Sequence, residues 1–327
     1  MNKLSREALQ ILEMIKKYGP IRPAEIIQNL GVSAKTVQKH LSKMLEEGVV
    51  KKNGTTPNVF YLFNHSGLDI SSIPSDGDEW LIENSYIYSS PSGQIIRGMS
   101  GFRVWCEKNS FDFEHEKKLY ISQIKALAKQ RHNGLFSAKK SILSSRKEKY
   151  LDDIFFADFY TFGHYGKTKL GQLVYLGKLS QDKKLIKEAA MSVKPLLKQL
   201  LEKEGIKMIC YIPPTIKRRV QFMDILKKQL DLGLPEIRSA KVPDAKVAQK
   251  TLKKLEDRIE NARDTIAIFS DQKIVGNVLI IDDATGSGAT MNETARKIKG
   301  VAGKKKIKVF GFSVVGSYKG FDVISEV

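Results

Sequence analysis

Two adjacent carboxylates, Asp282 and Asp283, are followed by a run of small residues and hydroxyls, Ala284-Thr285-Gly286-Ser287-Gly288-Ala289-Thr290. Directly before them stand four apolar residues, Val278 to Ile281, which read as a strand buried on both faces, as in a parallel sheet. A helical pattern opens after the run with Met291, Asn292 and Glu293. Carboxylates accept hydrogen bonds from sugar hydroxyls. Loop amides and a helix N-terminus favour a phosphate, because the aligned peptide dipoles place partial positive charge there. Glycines at 286 and 288 let the backbone approach a ligand with no side chain in the way. Together these residue types form a device for holding a phosphorylated sugar. The alternative is an ordinary strand, turn and helix with Thr290 as N-cap and Glu293 closing a capping box. A Walker phosphate loop is excluded, since no Gly-Lys-Ser/Thr ends this one.

The elements that must position this loop follow from the rest of the second half. From about Leu151 onward the pattern alternates strand and helix, as an α/β sheet requires. Lys207 to Ile212 is a short apolar strand ending in Pro213-Pro214, and Thr215-Ile216-Lys217-Arg218-Arg219 is a basic loop at its carboxyl end. Open α/β sheets bind ligands at that edge. Thr215, Lys217, Arg218 and Arg219 have the chemistry for a pyrophosphate group; the plainer reading is a basic helix start. Phe222 to Leu232 is an amphipathic helix, and further strands are expected at 236–241, 265–269 and 307–315.

The first 65 residues follow a different plan. Apolar positions at Leu4, Ala8, Leu12 and Ile15 predict a helix over 4–17, which Gly19-Pro20 ends. Pro23 opens a second helix to Leu30, and Ser33 is a natural N-cap for a third running from about Ala34 to Glu47. A hairpin follows: Val49 to Lys52, a loop, and Val59 to Phe63. This order resembles the winged helix–turn–helix of bacterial and archaeal transcription regulators. The resemblance implies a third helix that lies in the major groove of DNA and presents Lys35, Thr36, Gln38, Lys39, Ser42 and Lys43, with Lys51, Lys52 and the wing on the backbone. Winged helices also serve as protein-interaction modules, and the same polar face is then simply solvated. The segment carries ten basic against five acidic residues, which favours DNA.

The chain has 327 residues and a formal net charge of +19, an excess that favours anionic partners. Part of it lies in 117–149, where ten Lys or Arg meet a single acidic residue, Glu148. That stretch reads equally as a solvated helical face or as a second phosphate-contacting surface. Residues 64–79 look like a linker. Residues 80–106 contain a small hairpin around the turn at 90–93, and Phe102, Trp105, Phe111 and Phe113 are expected to pack a small core. No apolar run is long enough to span a bilayer and no secretory signal opens the chain, so a cytoplasmic protein without membrane contact is expected. Cys106 and Cys210 form no CxxC pair and are expected to be buried thiols; no metal site built from protein ligands is expected.

The stretch 278–290 closely resembles the PRPP-binding signature of type I phosphoribosyltransferases, whose loop ends Thr-Gly-x-Thr; here the ending is Ser287-Gly288-Ala289-Thr290. The resemblance implies that Asp282 and Asp283 bind the ribose hydroxyls as the catalytic acid pair, and that Ala284, Thr285, Gly286, Ser287, Gly288, Ala289 and Thr290 wrap the 5′-phosphate. It also implies Mg²⁺ carried in with PRPP rather than held in a protein cage. Other features resemble the ComF branch of that superfamily across residues 151–327. These are Ile212-Pro213-Pro214 with Arg219 and Gln221, then Gln249-Lys250-Thr251-Leu252 with Arg258 and Asn261, and the aromatic stretch from Phe159 through Tyr175-Leu176-Gly177-Lys178. The cysteine-rich zinc element that opens most ComF relatives is absent.

The fold expected is therefore a parallel-sheet phosphoribosyltransferase α/β domain (151–327), a winged helix (1–65), and a small basic intervening segment (66–150). A winged helix before such a domain resembles the plan of the purine repressors of Gram-positive bacteria. That implies a homodimeric, PRPP-responsive DNA-binding regulator, with a ComF-like role in DNA uptake or processing as a variant. The alternative is an active phosphoribosyltransferase that transfers ribose 5-phosphate from PRPP to a nitrogenous base.

Overall fold

The computed structural model describes residues 5–18, 21–47, 49–53, 59–63, 78–140, 148–241, 255–269, 271 and 273–317. The chain divides into two compact units, Met1–Ser66 and Gly67–Val327.

In the first unit, α1 (Arg6–Tyr18), α2 (Pro23–Leu30) and α3 (Ala34–Glu46) precede the antiparallel pair β1 (Val50–Asn53) and β2 (Phe60–Phe63). The caps are local. Proline opens α2, and Gly31 closes it in the left-handed region at φ 64°. The Ser33 hydroxyl accepts the Thr36 N–H at 3.1 Å and starts α3. Ile11, Ile15, Ile26, Val37, Leu41 and Met44 meet in the middle with Val50 and Tyr61, all buried. A backbone bridge between Ile21 and Tyr61 ties the α1–α2 connection to the hairpin.

The second unit starts with α4 (Asp78–Ser85), the hairpin β3 (Ile87–Ser89) and β4 (Ile95–Arg97), α5 (Gly98–Lys108) and α6 (Phe113–Ala128). Then come β5 (Phe136–Ser137), β6 (Asp153–Phe159), α7 (Lys169–Leu179), α8 (Lys183–Lys203), β7 (Ile206–Tyr211) and α9 (Phe222–Leu230). The remainder is β8 (Ser239–Lys241), α10 (Leu255–Thr265), β9 (Ile266–Ile268), β10 (Asn277–Thr285), α11 (Ala289–Ala302) and β11 (Val309–Gly316).

One five-stranded sheet organises this unit, in the order β5-β6-β11-β10-β7. It is parallel except for β5, which pairs antiparallel with β6 at one edge. The central strands are buried on both faces, so they read as continuous apolar runs. Side chains alternate across a strand, which sorts the core into two layers. Leu279 and Ile281 face α7, α8 and α9. Val278 and Ile280 face α11, in the layer whose core continues into α4, α5 and α6.

Several sequence expectations are corrected. The segments 236–241 and 265–269 contribute no strand to the main sheet: β8 and β9 pair antiparallel with one another. Both are three residues long, and the chain just before β8 meets the sheet only through a single parallel bridge between Glu236 and Ile209 of β7. The sheet instead takes β6, whose Ile154 and Phe156 face one layer and Ala157 the other. The hairpin around residues 90–93 is present, with Phe102 and Trp105 packed against Tyr120 and Tyr165; Phe111 is left 40% exposed. Both cysteines are buried and free.

The basic balance of 117–149 is partly neutralised inside the unit. Lys117 meets Glu79 and Glu114, Lys125 meets Asp78, and Arg131 binds Asp158 and two backbone carbonyls. Lys118, Lys129, Lys139 and Lys140 are exposed, and Arg146 and Lys147 lie outside the described residues.

Candidate functional site

The parallel strands end together. Tyr211 of β7 is level with Ile281 of β10, Thr285 with Gly316 of β11, and Gly316 with Phe159 of β6. At the carboxyl ends of β7 and β10 the chain leaves towards opposite faces: β7 feeds α9 in one layer, β10 feeds α11 in the other. A crevice opens where neighbouring strands part in this way, at the switch point of an open α/β sheet. Asp282 and Asp283 lie in the carboxyl end of β10, and the loops 286–288 and 213–221 follow the carboxyl ends of these two strands.

β10 is longer than the apolar run predicts. It carries through both carboxylates to Thr285, with Asp282 level with Ser313 and Thr285 with Gly316. Only Gly286, Ser287 and Gly288 separate strand from helix. Gly288 adopts φ 68°, left-handed backbone that a residue without Cβ enters freely, and it is the N-cap of α11. The expected cap at Thr290 is therefore displaced by two residues, because the glycine makes the turn itself. Glu293 closes no capping box either: it is buried and bound by Arg296 at 2.7 Å and Arg263 at 3.8 Å. Ser287, Gly288 and Ala289 are buried, while Ala284, Gly286 and Thr290 are half-buried. The Ser287 hydroxyl accepts the Ala289 N–H at 3.4 Å.

Because the acids are consecutive on a strand, they serve different layers. Asp283 follows the parity of Leu279 and Ile281, and its Oδ1 receives the Lys178 ammonium of α7 at 2.6 Å. Both side chains of that pair are about 15% exposed or less. Asp282 follows Val278 and Ile280, accepts the Asp283 N–H at 2.8 Å, and feels the charge of Lys241 from β8. Lys241 in turn donates to the Thr215 hydroxyl at 2.6 Å, which ties β8 to the basic loop. Burial and the neighbouring Asp283 carboxylate push the Asp282 carboxyl up to about 7, against the opposing pull of Lys178, the Asp283 N–H and Lys241. Burial lowers the Lys241 ammonium, and Asp282 raises it.

An acid whose folded-state pKa is raised binds more protons folded than unfolded between about pH 4 and 7. Stability therefore falls as pH rises through that window. Asp282→Asn is expected to raise the melting temperature at pH 8 and to raise it less at pH 5. Thermal melts of both proteins at the two pH values check this; an equal or lower melting temperature for the variant at pH 8 would contradict it.

Lys178 reaches Asp283 because of two close approaches. The Thr168 hydroxyl caps α7 by accepting the Gly171 N–H at 3.0 Å, and a Cβ on Gly171 would stand 2.0 Å from the Tyr160 carbonyl oxygen. At the other end a Cβ on Gly177 would stand 2.9 Å from Ile186, so α7 seats tightly on α8 with Lys178 at the crevice. Across the gap Thr215, Lys217 and Arg219 are exposed and Arg218 half-buried. They precede α9 by three residues or more, so their charge does not sit on its first turn.

Sequence reasoning does not single out Lys241, and it reaches Lys178 only as part of a resembling stretch. A lone lysine on a helix or short strand carries no local signal; its role emerges only when the fold brings it to the acids. Gln249 to Leu252 lie outside the described residues, as does the Arg258 side chain; Asn261 is half-buried on α10.

In the first unit, Lys35, Gln38, Lys39 and Lys43 are exposed on α3, while Thr36 and Ser42 are half-buried. The Thr36 hydroxyl lies 2.8 Å from that of Ser33, so it shares in the cap. Lys52 is exposed on β1; the Lys51 side chain and the wing residues 54–58 lie outside the described residues. Among the described residues no helix is long and apolar enough to cross a membrane.

No curated protein matches the chain. The family of winged helix-turn-helix DNA-binding domains matches residues 8–51, which covers α1 through the start of β1; the N-terminal unit is a winged helix–turn–helix, and DNA is the partner it supports.

Proposed function

We propose that the chain is a DNA-binding regulator whose second unit holds PRPP in the manner of a type I phosphoribosyltransferase fold. The observation that carries the ligand reading is the acid pair at a switch-point crevice, with a left-handed glycine turn leading from it straight into a helix N-terminus. The ribose hydroxyls donate to Asp282 and Asp283. The 5′-phosphate lies at the turn 286–288 and the first residues of α11, where the dipole and backbone amides favour it. The pyrophosphate takes the side of Thr215, Lys217, Arg218 and Arg219. Mg²⁺ enters on the ligand, and its chemistry when bound is to neutralise phosphoryl charge.

On the DNA side, the exposed Lys35, Lys39 and Lys43 of α3 contact phosphates while Gln38 reaches base edges. Two copies in a dimer would present two such helices to two half-sites. For ligand to control DNA, it must bind one state of the protein more tightly than another.

Anisotropy titrations of labelled duplex DNA at several salt concentrations, with and without PRPP–Mg²⁺, test both halves. Binding is expected to weaken steeply with salt. Lys35→Ala, Lys39→Ala and Lys43→Ala each lower the logarithmic salt slope by about 0.9 for every phosphate the lysine neutralises. PRPP–Mg²⁺ shifts DNA affinity by roughly fivefold or more, the scale of ordinary allosteric coupling. Salt-independent or absent binding refutes the DNA half, and an unchanged curve with PRPP refutes the coupling. Release of pyrophosphate from PRPP with a panel of nucleobases would establish turnover instead.

A further inference from the structure

The acid pair poses an electrostatic problem. Two carboxylates at the mouth of a half-buried crevice repel a polyanionic sugar phosphate, and repulsion is strengthened where water is scarce. Two lysines stand by the acid pair from opposite layers: Lys178 of α7 lies 2.6 Å from Asp283, and Lys241 of β8 is held on the Thr215 hydroxyl at 2.6 Å. These are not rim lysines. Lys178 is 14% exposed, and Lys241 is half-buried and hydrogen-bonded to Thr215 at the start of the basic loop.

We infer that Lys178 and Lys241 are the cationic half of the ligand site: Lys178 is held on Asp283 and Lys241 on the Thr215 hydroxyl while the crevice is empty, and both swing onto phosphoryl oxygens when a diphosphorylated pentose enters. This rests on the phosphoribosyl reading above. The Lys178 ammonium leaves the Asp283 carboxylate for a phosphoryl oxygen, and the freed carboxylate accepts a sugar hydroxyl, so each group keeps a hydrogen-bond partner. Lysine suits this because its ammonium is a compact charge on a four-carbon stem with three donors that re-aim without rebuilding a planar fork. Opposite-layer origin matters too. Lys178 is anchored on Asp283 and Lys241 on the Thr215 hydroxyl, so Lys241 carries the shift to the loop that faces the pyrophosphate.

Isothermal titration with PRPP–Mg²⁺ and with ribose 5-phosphate separates this from a purely structural ion pair. Ribose 5-phosphate has the diol and the 5′-phosphate but no diphosphate. For Lys178→Met and, independently, Lys241→Met, PRPP affinity is expected to fall at least tenfold while ribose 5-phosphate affinity changes less than threefold. Lys178→Arg keeps PRPP affinity within a few fold. Melting curves of every variant confirm the fold, and either lysine alone suffices if the other variant does not fold. Equal losses for both ligands, or no loss for PRPP, overturn the exchange and leave the phosphoribosyl reading intact. Wild-type protein that binds neither ligand overturns both.

Discussion

Asp282→Asn combined with Asp283→Asn is expected to lower PRPP affinity by roughly 10²–10⁴-fold. Hydrogen bonds to charged groups contribute about 1.5–3 kcal/mol each, and each 1.4 kcal/mol is a factor of ten. Two such bonds are removed, one per acid. Asp283→Asn also strips Lys178 of its anion in a place only 14% exposed, which costs about 3 kcal/mol of stability. The binding measurement is therefore paired with a melt, and Lys178→Met is added to the double variant to remove the stranded ammonium. The triple variant should recover stability and remain unable to bind. Wild-type affinity in a folded double variant would place the sugar elsewhere.

Gly171→Ala is expected to destabilise the second unit by roughly 3 kcal/mol or more. The new Cβ would lie 2.0 Å from a backbone oxygen, that of Tyr160, and 3.3 Å from the Thr168 hydroxyl that caps α7. A backbone atom cannot step aside as a side chain tip does, so the helix start must lift. That is a large share of the ~5–15 kcal/mol that holds a domain folded. Gly300→Ala is the matched control. It is an exposed helical position with open space around it, and the same substitution there should stabilise by about 0.5–1 kcal/mol. Denaturant titrations of the two variants check the contrast. Similar stabilities would mean that α7 does not sit against the Tyr160 carbonyl.

How much of the molecule is legible in its sequence depends on the range of the signal. The winged helix is readable almost residue by residue, because its caps are local: Pro23, Gly31 and Ser33 each act within one turn. Val278 to Ile281 announce a central strand by composition. The strand's extension through Asp282 to Thr285 is not announced, since pairing with β11 decides it and no single residue does. β6 is hidden for a related reason. Asp153 and Asp158 flank it, and Asp158 is tolerated only because Arg131, twenty-seven positions earlier, is paired with it. The short apolar stretches at 236–241 and 265–269 do hold strands, but their antiparallel pairing with one another, with one bridge from Glu236 to Ile209, is decided by the fold and by no residue within them. In the crevice, the carboxylates and glycines are visible as neighbours in the chain. Their countercharges are not, being 105 positions apart in the Lys178–Asp283 pair.

Consecutive positions on β10 answer to different sides of the sheet, and this has a mechanical corollary. A molecule that grips both Asp282 and Asp283 bridges the α7 side and the β8 side at once, like a staple through two sheets of card. Amide protons on α7 and on β8 should then slow their exchange together when the crevice fills, although the two elements belong to separate layers. Anything that changes the thickness of this sandwich, even far from the crevice, would be felt as a change in grip.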